Sequence, residues 1–160
     1  MDCYYTAQIC LNGHMINDSA DKYPESNQDF CSRCGAKTIT TCPSCGIRIR
    51  GYYSSEFVLS VGDTTPVPAY CYGCGKPYPW TESAIKNATA IINEEEALSE
   101  QLKASLINSL PDIVSETPGT NLATVRIQKG LATAGKFTAD AIRQFVIDFG
   151  CELAKKSLGF

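Results

Sequence analysis

The sequence is poor in several things, and each shortage removes a class of function. Histidine is nearly missing: His14 is the only one in 160 residues. A hydrolase or transferase that relies on a histidine base has a single candidate, and the glycine-rich G-x-x-x-x-G-K-[ST] loop that cradles nucleotide phosphates is not present. Basic residues are in deficit. Fourteen Lys and Arg face seventeen Asp and Glu, for a formal net charge of -3, which argues against a general nucleic-acid binder. No apolar run approaches the ~20 residues that span a bilayer. The start, Met1-Asp2-Cys3-Tyr4-Tyr5, has neither a basic nor an apolar segment of the secretory kind. These features predict a soluble, cytoplasmic protein.

Cysteine, by contrast, is abundant. Of nine, six fall in three repeats of one design: Cys31-Ser-Arg-Cys34-Gly, Cys42-Pro-Ser-Cys45-Gly and Cys71-Tyr-Gly-Cys74-Gly. A fourth half-site, Cys10-Leu-Asn-Gly-His14, precedes them. Two residues between ligands let the chain fold back so that both sulfurs face one ion, and the following glycine suits a position with positive φ. Seven thiols and one imidazole make eight ligands, the number two closed tetrahedral zinc sites require. The candidate metal ligands are therefore Cys10, His14, Cys31, Cys34, Cys42, Cys45, Cys71 and Cys74, holding two Zn ions. For His14 alone the ordinary reading is a surface or core histidine; its spacing from Cys10 and the ligand count favour ligation.

Other uses of the thiols fit less well. A disulfide framework needs an oxidising compartment and sits badly with an odd count. A thioredoxin-like pair needs a strand–Cys-x-x-Cys–helix setting, which none of the three has. Cys3 and Cys151 fall outside the pattern, Cys3 as an exposed thiol and Cys151 as a small buried hydrophobe on a helix.

Sixteen residues separate His14 from Cys31, seven separate Cys34 from Cys42, and twenty-five separate Cys45 from Cys71. Sequential pairing puts Cys10, His14, Cys31 and Cys34 on one ion and the other four on the second. Cross-bracing the half-sites also satisfies the count. The last loop favours sequential pairing because it reads as strands. Ile47, Ile49 and Tyr52 alternate with Arg48 and Arg50, and Phe57-Val58-Leu59-Ser60-Val61 is a β-rich run ending at Gly62.

Composition changes near Pro77-Tyr78-Pro79-Trp80. Eleven of fifteen aromatics lie at or before Trp80, whereas the remainder is rich in Ala, Ile, Leu and Glu. We expect a 1–80 double zinc-ribbon domain and an 81–160 helical region, with Trp80 at the join. Thr81 is a candidate helix cap with Ile85, Ala88, Ile91 and Ile92 at helical spacing. Ser99 is a second cap before Leu102, Leu106 and Leu110, with Pro111 a break or kink. Residues 117–121 read as a loop. A third helix starts near Leu122, with Val125, Ile127 and Leu131 apolar. A last stripe runs through Ala141, Ile142, Phe145, Val146, Phe149 and Leu153, with Lys155 and Lys156 in its final turn. Gly130 and Gly135 either separate two helices or sit inside one, at ~1 kcal/mol each. The stripe either packs on its neighbours or serves self-association or partner docking.

The blocks "YYTAQICLNGHMIN", "FCSRCGAKTITTCPSC", "IRGYY" and "AYCYGCGKPYPWTE" resemble the signature of a bacterial family of small zinc-ribbon proteins, catalogued as a domain of unknown function. The resemblance covers most of residues 4–82 and extends more weakly along the tail. It joins the eight ligands to non-ligand residues such as Asn12, Gly51 and Trp80. It implies a zinc-ribbon fold, a bacterial cytoplasmic setting and no assigned catalysis.

The fold expected is thus α+β: an N-terminal double zinc ribbon of short antiparallel strands, then helices. The role expected is a non-catalytic interaction or adaptor module with a protein partner or a second copy, no membrane and no small-molecule substrate. The alternative is single-stranded nucleic-acid binding. Arg33, Lys37, Arg48 and Arg50 lie in a stretch without acidic residues, with Tyr52, Tyr53, Tyr70, Tyr72, Tyr78 and Trp80 available for stacking. Charge weighs against it. Residues 1–80 carry six basic and seven acidic side chains and 81–160 carry eight and ten. Seven thiolates remove seven units and two Zn²⁺ return four, so the total of -3 becomes -6. No catalytic motif survives once His14 is committed to metal.

Overall fold

The structure is a computed structural model and describes residues 3–57 and 62–160. Two compact units divide the chain, Met1–Thr81 and Glu82–Phe160.

Among the described residues the first unit holds five short strands: β1 (Cys3–Thr6), β2 (Gln8–Cys10), β3 (Met15–Asn17), β4 (Thr38–Ile39) and β5 (Arg50–Ser54). They form two small antiparallel sheets, β1-β5 and β3-β2-β4. Ile9 lies opposite both Met15 and Ile39, which puts one apolar rung across the second sheet. In the first sheet Cys3 pairs with Ser54 and Thr6 with Arg50. The strand expected to begin near Ile47 begins at Arg50. Arg48 instead makes an isolated bridge to Thr41, and the partner of β5 is β1 at the start of the chain. Residues 58–61 of the expected strand lie outside the described residues.

The first unit has a small core of Ala7, Ile9, Ile49, Tyr78 and Trp80, to which Cys42 and Cys71 also belong. Tyr78 and Trp80 stack at 4.7 Å, and the Trp80 indole N–H donates to the Pro68 carbonyl at 2.8 Å. A core this size in ~80 residues rarely holds a fold alone.

The second unit consists of helices α1 (Pro79–Glu94, its first turn lying in the first unit), α2 (Glu100–Val114), α3 (Thr120–Thr133), α4 (Lys136–Phe149) and α5 (Glu152–Leu158). Helix α1 starts two residues before Thr81. Proline at the first helical position loses no hydrogen bond there, so Pro79 opens the helix. Thr81 is fully buried and turns its hydroxyl to the Ala69 carbonyl, 2.8 Å away. Ser99 caps α2, accepting from the Leu102 N–H at 3.2 Å. Pro111 does not break α2, which continues to Val114, one turn from its end. The carbonyl of Pro111 accepts from the Ser115 N–H and hydroxyl.

The glycines divide by role. Gly130 sits inside α3, where a Cβ would come within 2.7 Å of Leu106; the absence of a side chain lets α2 and α3 close on each other. Gly135 separates α3 from α4, and Gly150 ends α4, so the expected last stripe is carried by two helices rather than one. The buried face of α3 is Ala123, Thr124, Ile127 and Gly130. Of the apolar residues expected on this helix, Ile127 is fully buried whereas Val125 is exposed. Thr120 begins α3 with its hydroxyl on the Asp112 and Ser115 carbonyls.

Candidate metal centres

The three Cys-x-x-Cys-Gly segments fold alike. In each, the first cysteine's carbonyl accepts from the glycine N–H, at 2.7 Å for Gly35 and 2.8 Å for Gly46 and Gly75. The first cysteine's N–H donates to the carbonyl five residues on: Ala36, Ile47 and Lys76. Those glycines have φ of 73°, 76° and 71°, the left-handed region that penalises any side chain. One bridge pair closes each turn: Phe30 with Lys37, Thr41 with Arg48, Tyr70 with Pro77. The Cys10–His14 turn differs. Its glycine, Gly13, falls inside the turn at φ 88°, and Cys10 bonds the His14 carbonyl. The first cysteine of every turn is buried, and the second cysteine of each of the three repeats is exposed.

The four turns meet in sequential pairs. Cys10, His14, Cys31 and Cys34 bring their ligand atoms together, as do Cys42, Cys45, Cys71 and Cys74; within each group all lie within 4.8 Å of one another. Cys3 and Cys151 lie outside both groups. Cys3 is exposed; Cys151 is half-buried rather than buried, because it precedes α5 instead of lying on a helix face.

The edge lengths test the fit of a metal. A tetrahedral ion with sulfur at ~2.3 Å sets sulfurs ~3.8 Å apart, and with nitrogen at ~2.0–2.1 Å it sets sulfur and nitrogen ~3.5 Å apart. Cys10 and Cys34 sulfurs are 3.8 Å apart, Cys42 and Cys74 3.8 Å, Cys45 and Cys71 3.7 Å. His14 Nδ1 is 3.5 Å from the sulfurs of both Cys10 and Cys31. Among the described residues all nine cysteines are free of disulfides. The two groups fit tetrahedral metal, with Nδ1 the imidazole donor and the ring proton left on Nε2.

The surroundings prepare the sulfurs for charge. The Ala36 N–H and then the Asn12 amide, whose Nδ2 donates to Cys34 Sγ at 3.3 Å, hold Cys34 down to about 6. Against the upward push of burial, the N–H groups of Cys74 and Gly73 bring Cys71 to about 6 as well. Burial raises Cys10 despite the His14 and Asn12 N–H groups. At Cys45 the Ile47 N–H is outweighed by burial and by the neighbouring cysteines, which push the thiol up to about 12. Each cluster thus has one sulfur ready to ionise, Cys34 or Cys71, beside one that resists a further negative charge, Cys10 or Cys45. A dication eases that conflict by offsetting two of the negative charges and binding the sulfurs as thiolates. Tyr78 is raised by burial and by its hydrogen bond to Cys71.

Tyr78 went unremarked as part of the centre. It stands four residues after the second cysteine of its turn, the position Ile49 holds in the turn before, and both are fully buried. Aligning the three turns by cysteine would have marked it. Of the candidate basic face, Arg48 makes an ion pair with Asp21 at 3.3 Å and Arg50 lies over the rings of Tyr4 and Tyr72, at 4.8 and 3.8 Å.

Residues 3–158 match the model of a family described as "Uncharacterized protein conserved in bacteria (DUF2321)". The chain belongs to that bacterial family. No curated protein and no solved structure matches it. Family and clusters together support the zinc-ribbon resemblance noted from the sequence. No described helix is long and apolar enough to cross a membrane.

Proposed function

We propose that this DUF2321 protein is a non-catalytic adaptor of the bacterial cytoplasm whose first unit is held in shape by two structural zinc ions. The observation that carries the reading is the pair of closed four-ligand groups at tetrahedral edge lengths. Protein side chains fill all four positions of each, leaving none for water or substrate, which is the pattern of a structural rather than a catalytic site. A reducing compartment suits seven thiolate ligands. The set of three sulfurs and one nitrogen favours zinc. The four-sulfur set also accepts iron.

Elemental analysis of freshly purified, reduced protein is expected to find two zinc per chain, falling to one when Cys42 and Cys71 are changed to serine. Folded protein without transition metal overturns the structural reading, and iron at the four-sulfur site corrects the metal. For the adaptor role, native co-purification is expected to recover one recurrent protein at fixed stoichiometry.

A second reading, single-stranded nucleic-acid binding, is favoured by one feature: exposed Tyr4 and Tyr72 flank Arg50. Its measure is a salt-dependent anisotropy shift with a labelled oligonucleotide, abolished by Arg50→Glu. No shift at low salt removes it.

A further inference from the structure

Within the second unit, α1 and α4 border a groove that, among the described residues, no other helix fills. Toward the start of α1 it holds a cavity of about 260 Å³ walled by Ala84, Ala88, Ile91, Ala141, Phe145 and Phe149. Past Ile91, which lines both parts, it continues as a second hollow of about 550 Å³ beside Ala90 and Phe137. Phe137 is 78% exposed there, an aromatic ring left in water at the groove's end. From Ala84 to Glu94 the groove follows α1 for roughly 15 Å, about three helical turns.

Charge around it is one-sided. Glu94, Glu95 and Glu96 line one end and Asp148 the other, with Lys136 the only cation among the lining residues. Glu95 is already engaged, accepting from the Ala97 and Gly135 N–H groups at 3.0 and 3.1 Å. Glu94 and Glu96 are exposed.

We infer that the α1–α4 groove is the docking site of the adaptor, and that its occupant is an amphipathic helix of a partner protein with apolar residues at i, i+3 or i+4, and i+7, flanked by Lys or Arg. The walls are helix side chains and offer no free backbone edge for strand addition, so an extended peptide gains little there. Alanines on both walls let a helix approach closely, and half-buried Ile91 and Phe149 with exposed Phe137 supply the apolar area its side chains bury. The acidic ends choose a basic partner over an acidic one, since like charges across an interface cost affinity. This inference rests on the adaptor reading; the failure of one can be told from the failure of the other.

The test is a displayed library of 15-residue amphipathic helices, flanks randomised among Lys, Gln and Glu, selected against the zinc-loaded full chain. Enriched binders are expected to carry Lys at the flanks. Their affinity should fall about tenfold on Glu94→Lys with Glu96→Lys, and Lys→Glu peptides should regain it on that variant. Phe137→Asp, an exposed position that leaves folding intact, should also weaken binding. Failure to enrich any helix, neutral or acidic flanks, or indifference to the three substitutions overturns the groove. If sedimentation shows a dimer broken by the same substitutions, the occupant is a second copy and the inference is wrong. If a native partner stays bound to the triple variant, the adaptor reading survives without the groove.

Discussion

Gly51 shows how much a single hydrogen can decide. A Cβ there would lie 2.0 Å from the Asp18 carbonyl oxygen and 3.0 Å from the Ala7 nitrogen, both backbone atoms. The Tyr52 N–H bonds that same carbonyl at 2.8 Å, so β5 is pressed against the 18–20 turn. Gly51→Ala is expected to destabilise the first unit by about 2–3 kcal/mol through overpacking, read as a lower thermal midpoint in the zinc-loaded protein. Gly35→Ala meets open space, so only its left-handed backbone resists, at about 1–2 kcal/mol. A larger loss at Gly35 than at Gly51 would refute the ranking. Asn12 acts differently: it touches no ion but donates to Cys34 Sγ. Asn12→Ala is expected to weaken retention of the first metal about tenfold in competition with a chelator, leaving the second unchanged. At this scale the grouping of the eight Cys and His side chains into two fours was readable because metal chemistry fixes residue type and spacing. Gly51's neighbour at Asp18 was not, since thirty-two positions of sequence lie between the two residues in contact.

Helices were legible where local signals decide them. Ser99 precedes an apolar period and caps; Ser99→Ala should cost about 1 kcal/mol of the second unit's stability by denaturant titration. The same reasoning misplaced Thr81 because a threonine hydroxyl serves either a cap or a distant carbonyl, and only packing against Ala69 chooses. Val125 fits a helical stripe, yet the contact between α2 and α3 is built from Gly130 and small residues, so the apolar face lies elsewhere. No period in the sequence announces that. Glu95 joins the end of α1 to the start of α4. The Ala97 N–H first, then the Thr138 hydroxyl and Gly135 N–H, hold its carboxyl below the usual range. A carboxyl so depressed stabilises fully above its unfolded value and loses that contribution as pH falls through the folded one. Glu95→Gln should therefore flatten the pH dependence of the second unit's stability between roughly pH 5 and 3. An unchanged slope would show that the contact does not couple the helices.

Over the whole chain, the two units differ in what holds them. The first has a core of a few side chains between short strands; the second buries Leu106, Leu110, Ile113, Ile127 and Val146 among helices. Metal binding is coupled to folding in small sites of this kind, and acid competes for the same sulfurs. Removing metal with a chelator, or lowering pH until the thiolates protonate, is expected to erase the strand signal in circular dichroism and leave the helical signal. Simultaneous loss of both would mean that the units stand or fall as one. The change of composition near Trp80 falls beside the boundary of the two compact units, between Thr81 and Glu82. The closing of β5 onto β1 was not readable, because nothing in either strand names its partner across more than forty residues.

Trp80 is the chain's sole indole. Its side chain rests on Gly13, inside the turn between Cys10 and His14, while its ring shares a stack with Tyr78 beside Cys71. One natural fluorophore therefore touches the scaffolding of both candidate metal centres. Excited at the red edge of the protein's absorption, it should report the loss of metal from each in turn, giving the molecule a built-in optical gauge that no label need supply.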